Sequence, residues 1–216
     1  MHPTLRRFAA RIYSCFARST LSVRGDGNIL ELADSVRRKC HLRIDGHRNR
    51  VKFSPQCRLW DLHIDIVGSD HQLFVGRGCS IRGGNWLLED RGSRLIVGGG
   101  TTMISDVLIA SEGQAITLGE DCMLGAGVEI RCSDGHSILD RASGKRLNPA
   151  ANIAVGAHVW IGAAARVLKG VTIGENTIIA AGAIVTRDIP AGCVAVGIPA
   201  RVGRQGVTWD RERIAR

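Results

Sequence analysis

Aromatic residues are scarce: Trp, Tyr and Phe together make up 4% of the 216 residues. A core built without them must be aliphatic. Long apolar runs are missing as well; none approaches the ~20 residues that span a bilayer as a helix. The seven cysteines, Cys15, Cys40, Cys57, Cys79, Cys122, Cys132 and Cys193, contain no C-x-x-C pair, which argues against zinc-ribbon or thioredoxin-like chemistry. An odd number of thiols in a chain of this size points to reduced, buried cysteines and a cytoplasmic location.

Charge of one sign is also missing from most of the chain. Residues 61–216 carry 16 basic and 16 acidic side chains. The whole net charge of +9 belongs to residues 1–60, with 13 Lys and Arg against 4 Asp and Glu. Zinc-finger spacing is absent, and so is any basic stripe interleaved with aromatics, so nucleic acid is not an expected partner. Residues 1–20 are predicted to form a basic amphipathic helix. Leu5, Phe8, Ile12 and Phe16 share one helical face, and Arg6, Arg7, Arg11 and Arg18 supply the charge. Two uses stay open: a cap on the domain that follows, or attachment to an anionic membrane surface. Arg11 and Arg18 interrupt the apolar stretch, which argues against a signal peptide.

What is abundant is glycine, 27 residues against about 7% in an average protein. A repeat accounts for it. Stepping by six from Val155 gives Ile161, Val167, Ile173, Ile179 and Val185. Two residues before each stands a small or β-branched residue: Ile153, Val159, Ala165, Val171, Thr177 and Ala183. In an extended segment, positions two and four apart face the same side. Glycine after the primary position, as at Gly156, Gly162 and Gly174, marks where the chain turns. Short strands joined by tight turns wind into coils whose apolar side chains fill a narrow interior, too narrow for large aromatics. Upstream the pattern recurs as Val75, Ile81, Leu87, then Val97, Met103, Ile109, then Leu118, Leu124, Ile130. These coils carry three or four extra residues. Phe53 and Leu59 suggest one more before them. Cys57, Cys79 and Cys122 fall on small interior positions and read as core filler.

The run IAVGAHVWIGAAARVLKGVTIGENTIIAAGAIVTRDIPAGCVAVGIPARV resembles the hexapeptide-repeat acyltransferases. That resemblance implies an all-β fold, a left-handed parallel β-helix with three hexapeptides per turn. The expected organisation is the helix over 1–20, a β-helix domain over 21–195 with a protruding loop at 131–152, and a C-terminal extension over 196–216 ending in a short polar helix from residue 207. The loop, RCSDGHSILDRASGKRLNPAAN, is a polar break in the repeat, and loops on rigid scaffolds are where function concentrates. With His158-Val-Trp160-Ile-Gly162 after it, the pattern SDGHS…HVWIG is similar to O-acetyltransferases that modify bacterial surface sugars, above all the capsular polysaccharide and sialic acid group.

The resemblance implies acetyl-CoA as co-substrate, a saccharide hydroxyl as acceptor, a homotrimer and no metal. His136 takes the role of general base: the acceptor hydroxyl must lose its proton as it attacks the thioester, and imidazole suits that transfer. Asp134 or Asp140 would orient the imidazole; for Asp134 a turn-forming role before Gly135 stays equally open. Trp160 would pack on the acetyl and pantetheine end, its indole N–H or backbone N–H groups meeting charge on the thioester oxygen. The donor positions that match the family are Ala163, Ala181, Thr186, Arg187 and Arg201, the arginines toward the phosphates or simply solvated. Ile198 departs from the Gly-Asn-Pro-Ala run common in the family. The three-histidine zinc site of carbonic anhydrases on this fold needs an H-x-x-x-x-H pair, which His41/His47, His63/His71 and His136/His158 do not supply. Other acceptors (an amino sugar, a xenobiotic, serine) and a non-catalytic scaffold are the competing readings. Residues 1–60 would add contact with an acidic polysaccharide or the inner face of a membrane.

Overall fold

The computed structural model describes residues 19–215, so the predicted helix over 1–20 lies almost wholly outside it. The described residues form 22 strands and no helix. The strands stack into three walls of a prism. The first wall runs through Val36–Arg38, the first halves of Arg58–Val67 and Ser80–Glu89, then Thr102–Met103, Met123–Leu124, Trp160–Ile161, Ile178–Ile179 and Cys193–Val196. The second runs through Thr20–Arg24, His41–Asp45, the second halves of the two long strands, Val107–Glu112, Glu129–Arg131, Arg166–Val167 and Ile184–Val185. The third runs from Ile29–Leu32 through Arg50–Phe53, Gln72–Val75, Arg94–Val97, Ala115–Leu118 and Ile153–Val155 to Thr172–Ile173. Every pairing within the walls is parallel, so the chain is a β-solenoid of stacked coils.

The register shows how the repeat works. Val51, Leu73 and Leu95 are neighbours at steps of 22, Ile116 follows after 21, and Ala154 pairs with Thr172 at a step of 18. The extra residues of the early coils lengthen the second wall. There the interior is wider, and the expectation that large aromatics are shut out fails: Trp86 and Phe53 are fully buried. Trp86, not Leu87, pairs with Ile109 in the interior column, because the bend at Gly83 and Gly84 is one residue shorter than the bend of the next coil. From Ile153 on, with coils of 18, the interior holds only aliphatics, alanine, threonine and cysteine. Cys57, Cys79 and Cys122 are buried and free in that core, and burial pushes the Cys122 thiol up.

The corners are where residues adopt a left-handed backbone. Along one edge these are Gln56, Gly78, Gly100, Asp121, His158, Asn176 and Gly192. Gly156, Gly162 and Gly174 also sit at corners but do not have positive φ. They are glycine for a different reason than turning: a Cβ on Gly174 would stand 2.3 Å from the amide nitrogen of Ala191 in the next coil. Among the described residues the first coil borders an apolar cavity of about 970 Å³, lined by Leu32, Phe53, Leu59 and Leu62.

The C-terminal extension corrects another expectation. Arg201–Gln205 is a strand antiparallel to Cys193–Val196. Residues 207–215 form no helix; the Val207 amide donates to the Gly192 carbonyl and Arg211 reaches Asp121 and Thr102 on the solenoid. Among the described residues no helix is long and apolar enough to cross a membrane.

Candidate active site

The polar break leaves the solenoid after the second wall and returns where the Ala151 amide donates to the Cys132 carbonyl at 2.9 Å. Its centre is Asn148, 8% exposed. The Asn148 side-chain amide donates to the Asp134 carboxylate at 2.6 Å and to the His136 carbonyl at 2.8 Å, and its oxygen accepts from the Ile138 amide. Lys169, one coil further on, reaches the Asp134 carboxylate and the Asn148 carbonyl. The His136 backbone is thereby tied to the scaffold while its ring is exposed. The Lys169 ammonium, then the Asn148 amide, hold the Asp134 carboxyl below its ordinary value. Asp140 accepts from the amide and hydroxyl of Ser143, closing a turn within the loop. Neither aspartate hydrogen-bonds the His136 ring among the described residues. Neither Asn148 nor Lys169 stands out in the sequence; a polar residue inside a loop and a lone lysine carry no local signal.

Trp160 lies on the first wall between Met123 and Ile178 and is 38% exposed. Beside it runs a groove of about 590 Å³ lined by Ile104, Gly125, Ala126, Gly162, Ala163, Ala180 and Ala181. Glycine and alanine let a narrow chain reach the backbone here. A Cβ on Gly162 would meet the Ala181 amide nitrogen at 2.5 Å, so nothing larger fits that stacking. Thus Trp160, Ala163 and Ala181 come together. Thr186 and Arg187 do not join them: they follow the second-wall strand Ile184–Val185, at the same corner as Lys169 and the His136 loop. Arg201 lies on the antiparallel C-terminal strand. Within one chain, then, the loop and the groove stand on opposite sides of the second wall.

The C-terminal tail borders the groove. Trp209 is buried, stacks on His158 with centroids 4.2 Å apart, and stands 6.2 Å from Trp160. Its indole N–H donates to the His158 carbonyl at 2.8 Å. Both ring nitrogens of His158 face acceptors, the Asp121 carboxylate at 2.7 Å and the Trp209 carbonyl at 2.9 Å, which suits the imidazolium form. Burial opposes that charge, but the Trp209 carbonyl and Asp121 outweigh it and raise the His158 pKa. Arg211 clamps the tail through Asp121 and Thr102. Among the described residues no group of His, Cys, Asp and Glu is arranged to hold a metal ion.

Residues 152–187 match the family description "Bacterial transferase hexapeptide (six repeats)". The chain is similar to a polysialic acid O-acetyltransferase of Escherichia coli O1:K1 / APEC, 34% identical over 125 residues, which are 58% of this chain and 41% of that protein. It spans less than half the length of that relative. It is also similar to the polysialic acid O-acetyltransferase of Neisseria meningitidis, 30% identical over 150 residues and 69% of each chain. The crystal structure of the polySia specific acetyltransferase NeuO superposes with a TM-score of 0.87 at 29% identity, covering 91% of both chains.

Proposed function

Because the chain belongs to the hexapeptide-repeat acetyltransferases, the family of the polysialic acid O-acetyltransferases, we propose that it moves an acetyl group from acetyl-CoA to a hydroxyl of a bacterial surface-polysaccharide sugar or its precursor. It acts in the cytoplasm, where acetyl-CoA is made. The observation that carries this reading is the loop: a histidine on a polar excursion, its backbone pinned by Asn148 and Lys169 while its ring faces solvent.

In this reading the imidazole of His136 takes the acceptor proton as the hydroxyl oxygen attacks the thioester carbonyl. The tetrahedral intermediate collapses, the C–S bond breaks, and the proton passes to the departing thiolate. Oxyanion charge is met by backbone N–H groups or the Trp160 indole. Asp134, bonded to Asn148 and Lys169, acts by holding the loop. The pantetheine arm lies along Ala163 and Ala181, with Thr186, Arg187 and Arg201 serving the rest of the donor. Much of the acceleration comes from holding both substrates together.

The separation of loop and groove in one chain supports a site built between chains, His136 from one subunit facing Trp160 of a neighbour in a homotrimer. The loop carries Ile138, Leu139 and Leu147, each more than half exposed, as suits a contact with a second subunit. His136→Ala is expected to lower acetyl transfer at least ~100-fold while leaving the acetyl-CoA dissociation constant unchanged. Thiol release assayed against capsule oligosaccharides, with calorimetric donor binding, checks both. Near-normal turnover in that variant would remove the mechanism.

A further inference from the structure

We propose that the N-terminal half of the first wall is a binding track for an anionic polysaccharide, running into the Trp160 groove. This rests on the saccharide-acceptor reading. The register puts Arg38, Trp60 and Arg82 side by side in successive coils. The alternate residues Arg37, Leu59 and Ile81 form the neighbouring column, and Leu59 and Ile81 are buried. The three therefore point outward. The next position along the row is Ile104, which already lines the groove with Trp160. The parallel outward row is Arg58, Ser80, Thr102, Met123 and Trp160 itself. One surface thus connects three arginines and an indole to the groove.

Its chemistry is specific. Arg38, Arg58 and Arg82 are exposed, and among the described residues none pairs with a carboxylate. Asp61, at the corner after Trp60, is matched by Lys39 at 4.0 Å, and Asp106 stands at the corner beyond Ile104. The Arg82 guanidinium lies 5.5 Å from the Trp60 ring centroid. An aromatic plane flanked by guanidinium groups suits a sugar that carries a carboxylate: the C–H face lies on the indole and the carboxylate meets an arginine fork. A neutral sugar would use the indole and leave the arginines idle. From Trp60 to Gly162 there are four inter-strand steps, ~19 Å at ~4.8 Å each, so the track holds several sugar units and favours polymer over monomer.

The test measures binding by calorimetry at low salt, using polysialic acid fragments of about three and about ten sugars, where added length engages more of the track. The wild-type chain is compared with Arg38→Ala/Arg82→Ala. Both arginines are exposed, and an unchanged melting temperature verifies the fold; Trp60→Ala, at a half-buried position, is the riskier second variant. The long fragment is expected to bind the wild type about tenfold tighter than the short one, with the advantage lost in the double variant and in high salt. Dextran of equal length is expected to show no such advantage. Equal affinity of the two proteins for the long fragment overturns the track, as does no gain with length. If the wild type acetylates saccharides with the same KM as the double variant, the acceptor reading stands and the track falls. Should it acetylate no saccharide yet bind the polymer through these arginines, the track stands and the acceptor reading falls.

Discussion

Two histidines illustrate how position decides chemistry. His71 is buried in a polar ladder at the corner between the second and third walls. Its Nδ1 accepts from the Ser93 amide at 3.0 Å, and its Nε2–H donates to the Val67 carbonyl at 3.1 Å, which selects the neutral ring. Burial lowers its pKa. His158, between Asp121 and the tail, has its pKa raised. The two therefore act on stability in opposite senses. Unfolding lets His71 take a proton more readily, so its contribution is lost as pH falls below the ordinary histidine value of about 6.5. The His158 contribution is full below that value and is lost as pH rises through its folded pKa. NMR titration of the two rings is expected to place His71 below and His158 above that midpoint. The reverse order would mean that the ladder and the tail clamp do not control the rings. In the sequence each of these histidines follows a glycine by two or three residues. The ladder partners of His71 arrive from 22 residues away, and the carbonyl that meets His158 from 51 residues away, so no local pattern could rank them.

At the scale of the strand and its corner, glycine has two uses that one motif conceals. Gly182 has φ +70 with nothing near its missing Cβ, and the corresponding corner residue one coil earlier is Ala164 at φ 56. Alanine is thus already tolerated in that column. Gly174 has an ordinary φ, but its Cβ would strike the Ala191 backbone. Backbone cannot move aside as a flexible side chain does. Gly174→Ala is expected to cost about 2 kcal/mol or more from overpacking, and Gly182→Ala about 1 kcal/mol from left-handed strain. Urea unfolding of both variants checks the order; if Gly182→Ala is the more damaging, conformation rather than inter-coil clearance governs these glycines. The hexapeptide period was readable because each unit repeats one packing problem, an Ile or Val into the interior and a small residue beneath the next coil. Leu87 lies off the interior column because the bend at Gly83 and Gly84 shifts the register by one residue, a displacement that shows only when coils stack.

At the scale of the whole molecule, we propose a site built between chains, because in one chain the second wall stands between His136 and Trp160. Mixing subunits tests this. His136→Ala and Trp160→Ala homo-oligomers are each expected to be deeply impaired, while co-expression at equal levels restores activity at about a quarter of the interfaces, those pairing an intact loop with an intact groove. Recovery is read as thiol release from acetyl-CoA with saccharide acceptor. No recovery would return the whole site to a single chain.

The sequence by itself determined the solenoid and the polar break that carries His136, because each follows from short-range periodicity or its interruption. Only the tertiary structure decided that Asn148 and Lys169 hold the loop, that the tail docks as extended chain on His158 instead of forming a helix, and that the candidate residues divide between two corners. These outcomes depend on which coil lies above which. That register is set by the summed lengths of every turn and insertion along the chain, a quantity no local motif records.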